Sequence, residues 1–275
     1  DKKLVSKKGY YRDDIKVLYF RKDVVGTMPD YRIVSDTLVY DTDNEMMYFH
    51  GPTTIYNKEN VLYGKYGWYN TETELAYMDR RATLRNKEQI MTADTMYFNK
   101  QTGYAKALSD VVLEDTTNKA MMKGEFAEMW RNLGKCMMTD NLRGIYYEEI
   151  DTLFAKADTV YVFFDTLNND IQRIKAFYNV RFLRNDIQGK CDSLHYSVAD
   201  STVFMRVEPV IWAEDAQMTG DSINIVVENR SIDSLLMYPN AFVIQQDSIK
   251  GFNQVKGKQI TAYFKDNEID NMFNE

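Results

Sequence analysis

Ala93-Asp94-Thr95-Met96-Tyr97-Phe98 decides how this chain is read, because the chain writes it again and again. Ser35-Asp36-Thr37-Leu38-Val39-Tyr40 comes earlier. Ala157-Asp158-Thr159-Val160-Tyr161-Val162, Cys191-Asp192-Ser193-Leu194-His195-Tyr196 and Gly220-Asp221-Ser222-Ile223-Asn224-Ile225 come later. Weaker copies carry Lys65, Glu125 and Lys258 at the second position. The second positions fall at 36, 65, 94, 125, 158, 192, 221 and 258, in steps of 29 to 37 residues. Recurrence at this length reads as a stacked array of small supersecondary units.

A second signature runs in phase with the first. Short β-rich segments begin at Val24, Thr53, Ala82, Val111, Val180 and Val210, and four of these stand 12 residues before the next Asp-type position. The signature lapses between Val111 and Val180, where Gly144-Ile145-Tyr146 reads as a decayed copy. That lapse marks the expected seam. The chain therefore divides into a lead-in (1–16) and two repeat blocks (17–138 and 139–275), unless the blocks form one continuous roll.

Alternation shows which side of each strand is dry. Leu38 and Tyr40 share a face, as do Met96 and Phe98, Val160 and Val162, Leu194 and Tyr196, and Ile223 and Ile225. Thr37, Thr95, Thr159, Ser193 and Ser222 fall on the wetter face. The recurring Asp is expected to accept a turn N–H and hold the register, since a catalytic residue is needed once, not in every repeat. Strands of roughly 4 to 8 residues between polar turns predict an all-β protein. Gly51-Pro52 is expected to end one strand, because Pro supplies no ladder N–H. In Asn118 to Met138 the residues Met122, Phe126, Met129, Trp130, Leu133 and Met137 follow helical spacing while Gly124-Glu125-Phe126 keeps the repeat phase. Strand is expected there, with a short helix or an irregular insertion as the alternative.

Composition closes several doors. The net charge is −7 and the pI near 5.1, which argues against nucleic acid, whose binding rests on neutralising phosphates. The basic clusters at Lys2 to Lys8 and at Arg80, Arg81 and Arg85 read as solvated faces. No apolar run approaches the roughly 20 residues of a membrane helix. The sequence starts at Asp1 without a signal segment and reads as a trimmed chain. Cys136 and Cys191 read as small buried apolar residues rather than a bridge. His50 and His195 are the only histidines, and there is no CxxC, HExxH, Gly-rich phosphate loop or G-x-S-x-G elbow. No enzyme, cofactor or metal is expected.

The two linked signatures resemble those of the OstA-like family, which includes the lipopolysaccharide-transport protein LptA and the N-terminal domain of LptD. The resemblance spans roughly Phe20 to Phe264 and is sharpest at Val24 to Asp41, Ala82 to Phe98 and Val180 to Tyr196. The Asp-Thr-Leu-Val-Tyr wording is similar to versions found in Bacteroidetes. The resemblance implies an elongated β-jellyroll or solenoid of stacked antiparallel strands, open along one side as a V-shaped hydrophobic groove. It also implies a periplasmic, non-catalytic carrier of lipopolysaccharide towards the outer membrane, with lipid A acyl chains in the groove. Partners would be other OstA-like or Lpt components, or further copies added end to end through edge strands. The groove positions would be Leu38, Tyr40, Ile55, Leu84, Met96, Phe98, Leu113, Val160, Phe182, Leu194, Tyr196, Trp212, Ile223 and Ile225. The competing readings are a structural or adhesive surface β-solenoid with a filled core, and a carbohydrate-active β-helix.

Overall fold

The structure is a computed structural model that describes residues 3–147, 152–213, 215–228, 231–246, 251–265 and 268–275. Its secondary structure is β throughout, apart from one short 3-10 turn at Arg131–Leu133. Contacts divide the chain into two compact units, Asp1–Leu133 and Gly134–Glu275. The first holds β1 (Lys3–Val5), β2 (Lys8–Arg12), β3 (Val17–Thr27), β4 (Tyr31–Asp41), β5 (Met46–Asn57), β6 (Val61–Asn70), β7 (Leu75–Arg85), β8 (Gln89–Asn99), β9 (Tyr104–Asp115) and β10 (Ala120–Trp130). The second holds β11 (Lys135–Tyr147), β12 (Thr152–Phe164), β13 (Ile171–Leu183), β14 (Ile187–Ser197), β15 (Thr202–Arg206), β16 (Val210–Ala213), β17 (Ala216–Thr219), β18 (Ser222–Glu228), β19 (Ser231–Tyr238), β20 (Ala241–Gln246), β21 (Phe252–Gly257), β22 (Ile260–Lys265) and β23 (Glu268–Asn274).

In the first unit β3 to β10 form an antiparallel meander, and β1 and β2 both pair with β3. In the second, β11 to β14 continue the same pattern, after which the ladder splits. The first half of β14 leads through β16, β17 and β20 to β21. Its second half leads through β15, β18, β19 and β22 to β23.

The recurring Asp marks a bend. Opposite Asp36, Asp94 and Glu125 the partner strand carries the pairs Lys22-Asp23, Arg80-Arg81 and Ser109-Asp110, which have no ladder partner. Opposite Asp158, Asp192 and Asp221 stand Asp140-Asn141, Tyr178-Asn179 and Val207-Glu208. All twelve of these pair residues have φ between 48° and 70°, the left-handed region. A non-glycine residue there costs roughly 1–2 kcal/mol. In return the bulge bends the strand, and the odd residue count lets the same face point inwards on both sides of the bend. On β4 the buried positions accordingly run Ile33, Ser35 and then Leu38.

Several expectations change here. The long strands β3 to β14 run 10 to 13 residues rather than 4 to 8, because each crosses the bend. Gly51-Pro52 does not end β5. It occupies the bulge, with Gly51 at φ 142°, where no ladder N–H is required of Pro52. The decayed copy lies at Leu142, directly after the Asp140-Asn141 pair, two residues before Gly144. Asn118 to Met138 is not helical beyond its single 3-10 turn. Its inward residues Met122, Gly124, Ala127 and Met129 include one three-residue step at the bulge, which imitates helical spacing.

Among the described residues the recurring Asp also does not accept hairpin N–H groups. That role belongs to Asp41, Asn57, Asn70, Asn86 and Asp115, each of whose Oδ1 accepts two backbone N–H bonds inside its turn. The bend acids instead reach bulge residues. Asn179 and Asn240 donate to Asp158 and Asp221 at 2.9 and 2.8 Å, and the Asp110 N–H donates to Glu125 at 3.3 Å.

Candidate functional site

The bend divides the meander of the first unit into two arms. One arm ends in the turns after β3, β5, β7 and β9, the other in the turns after β4, β6, β8 and β10. Each arm buries one face, and the two buried faces meet. Tyr31 on one arm stands edge-on against Tyr69 on the other, with ring centroids 5.3 Å apart.

The register lines up the inward residues in rows that cross every strand. One arm carries Gly26, Ile33, Ile55, Leu62, Leu84, Met91, Leu113 and Met122 on β3 to β10, each paired with the next. At ~4.8 Å per strand the row is about 34 Å long. The facing arm carries Phe20, Leu38, Phe49, Gly67, Met78, Met96, Ala107 and Ala127, with Tyr40, Met47, Tyr69, Ala76, Phe98, Ala105 and Met129 nearer the tips. The row nearest the bend is dry: Leu38, Met78 and Ala107 have no exposed surface.

The second unit repeats the arrangement within itself. Met138, Val160, Ala176, Leu194, Met205, Ile223, Met237 and Ile260 form one row. Val162, Ile174, Tyr196, Val203, Ile225, Leu235 and Ala262 form the next. Ala155, Phe182, Gly189, Ile211, Met218 and Val243 line the other arm. There the Phe182 ring lies across Gly189 and fills the space a side chain would take.

Of the residues read from the sequence, Leu38, Tyr40, Ile55, Leu84, Met96, Phe98 and Leu113 face inwards in the first unit. Val160, Phe182, Leu194, Tyr196, Ile223 and Ile225 do so in the second. Trp212 does not. Its pairing with Gln188 and Gln217 puts it on the outer face, where Nε1 donates to Gln217 at 2.9 Å and Lys190 lies 5.8 Å from the ring. The inward residue is Ile211, which is fully buried. With a side-chain period of two, a reading one residue out changes the face.

The groove of the first unit opens at its mouth into a shallow, solvent-connected depression. Ile55, Leu62, Ala76, Leu84 and Phe98 supply its apolar floor, and Tyr31, Tyr69, Asn57, Asn60, Glu74 and Lys100 its rim. Burial pushes the Tyr31 hydroxyl up to about 12. Tyr69 is raised further, by burial first and then by the neighbouring Tyr31 and Glu74. Both therefore stay neutral at the rim. Tyr40 donates to Glu45 Oε2 at 2.8 Å, and Thr71 donates to the same oxygen. The alternation missed Leu62, Tyr69 and Ala76. Gly64 and Gly67 stand on β6 in place of the apolar pattern, and Met78 from the next strand packs across both.

The bend, the paired arms and the apolar rows define an all-β protein built around a hydrophobic groove. Among the described residues no group of three or more His, Cys, Asp or Glu is placed to hold a metal ion. No described helix is long and apolar enough to cross a membrane.

Residues 1–94 match the model of a family described as OstA-like protein. No curated protein matches the chain. A solved structure similar to part of it is LptH of Pseudomonas aeruginosa, the LptA homologous periplasmic component of a conserved lipopolysaccharide transport device. It shares 16% identity, with a TM-score of 0.37, over 39% of this chain and 82% of that one.

Proposed function

We propose that this protein is a non-catalytic lipid carrier that holds acyl chains of lipopolysaccharide in its groove on their way to the outer membrane. The observation that carries this reading is the unbroken inward row from Gly26 to Met122 beneath a rimmed depression, in a chain whose first 94 residues match the OstA-like family. Burying a chain contributes ~0.8 kcal/mol per methylene, so half a dozen methylenes supply about 5 kcal/mol. Successive strands present near-equivalent apolar positions, which suits passage by exchange from one to the next. The reading places the protein in the periplasm, with other OstA-like or Lpt components, or further copies joined by edge strands, as partners.

Photocrosslinking decides it. A benzophenone side chain at Leu84 or Phe98 is expected to yield lipopolysaccharide adducts in cells, while one at Thr92, on the outer face between Met91 and Ala93, yields none. Silence from both inward positions in folded protein would sink the proposal. A second reading, a structural β-array with a filled core, draws support from the dry row at Leu38, Met78 and Ala107. It predicts that silence.

A further inference from the structure

Two ion pairs cross the mouth of the first unit's groove. Asp30, in the turn after β3, and Glu59, in the turn after β5, stand 29 residues apart on the tips of one arm. Lys100, just after β8, and Arg131, just after β10, stand 31 apart on the tips of the other. Lys100 Nζ lies 3.8 Å from Asp30 Oδ2, and an Arg131 guanidinium nitrogen lies 3.5 Å from Glu59 Oε2. The same contact thus recurs one hairpin further along, acid from one arm and base from the other. Lys100 also rims the depression, where Glu74 of its own arm holds it at 2.9 Å and the Tyr31 ring lies 6.0 Å away.

We propose that these pairs form a charge clasp that sets how readily an acyl chain passes between the arm tips. The proposal rests on the reading of the groove as a lipid site and adds its gate. The two carboxylates are well exposed, at 67% and 70%, so each pair is weak and fades in salt. Weak pairs suit a gate. Each bridges two elements that must separate for a chain to enter, so losing one shifts opening by about two- to fivefold, and losing both multiplies the effect. Stronger ties would seal the apolar floor against the ligand that fits it.

The test uses the whole chain and N-phenyl-1-naphthylamine, an uncharged dye that brightens in apolar surroundings. Wild-type protein is expected to take it up several-fold faster in 500 mM than in 20 mM NaCl. The double variant Asp30→Asn with Glu59→Gln should reach the high-salt rate at low salt and ignore further salt. Exchanging the charges of the second pair, Glu59→Arg with Arg131→Glu, should restore slow, salt-sensitive uptake, which a general charge effect would not do. If wild type binds dye but the double variant matches it at every salt concentration, the clasp is wrong and the lipid reading survives. If no protein binds dye and the crosslinks at Leu84 and Phe98 are silent, the lipid reading fails and the clasp goes with it.

Discussion

Val207 shows how far this chain goes to make its bends. It stands at φ 62°, a conformation that a β-branched residue adopts at real cost, and its side chain gains little in return, being 57% exposed. In the other pairs the first position is held by Lys22, Arg80, Ser109, Asp140 and Tyr178, none of them β-branched, and Asn tolerates the left-handed region well. Val207→Asn is therefore expected to stabilise the protein by about 1 kcal/mol, read as a higher urea midpoint at unchanged slope. A lower midpoint would mean that the backbone there is not left-handed. The Asx-apolar steps Asp23-Val24, Asp110-Val111 and Asn179-Val180 are visible in the sequence as the start of three of the six β-rich segments. Their meaning as bends is not, because left-handed pairs need no fixed residue type and include Arg80-Arg81 and Tyr178-Asn179.

At the scale of the element, the repeating unit is a bent hairpin. The spacing of 29 residues counts two long strands and their turns, and the Asx residues in the turns hold the register. Hairpin tips decide the chemistry of the mouth. A half-buried Tyr31 and a buried Tyr69 meet there from opposite arms. Since their folded pKa values lie above the ordinary value of 10, the stability they lend is complete below pH 10 and lost as pH climbs to about 12 and beyond. At about 1.4 kcal/mol per pH unit, discounted for solvent screening because Tyr31 is only half-buried, Tyr31 accounts for roughly 1–2 kcal/mol across that range. Denaturant midpoints between pH 9 and 11.5 should fall steeply for wild type and less steeply for Tyr31→Phe. Equal slopes would remove the Tyr31 hydroxyl from the account. Nothing local marks Tyr31 for this role. Its partner lies 38 positions away, on a strand whose glycines conceal the repeat.

At the scale of the whole molecule, each unit keeps its inside dry by facing one arm with another. Cys136 and Cys191 lie in that dry layer of the second unit, unpaired, with burial raising both thiols to about 12. Neither should react with an aromatic disulfide reagent at pH 8 until the second unit unfolds, and two thiols per chain should then appear together. Fast reaction of either in native protein would contradict the packing.

The repeat, the all-β class and most of the inward face were determined by the sequence alone, because alternation and hairpin turns are local and recur each time the chain reverses. Only tertiary structure decided that strands bend in the middle, that Ile211 rather than Trp212 points inwards, and that Asp30 and Glu59 meet Lys100 and Arg131. The bend shifts the side-chain period by one residue, and although the recurring Asp stands at several bends, its residue type does not by itself say that the strand turns there. The clasp joins side chains some 70 positions apart, which come together only once two arms have closed on each other.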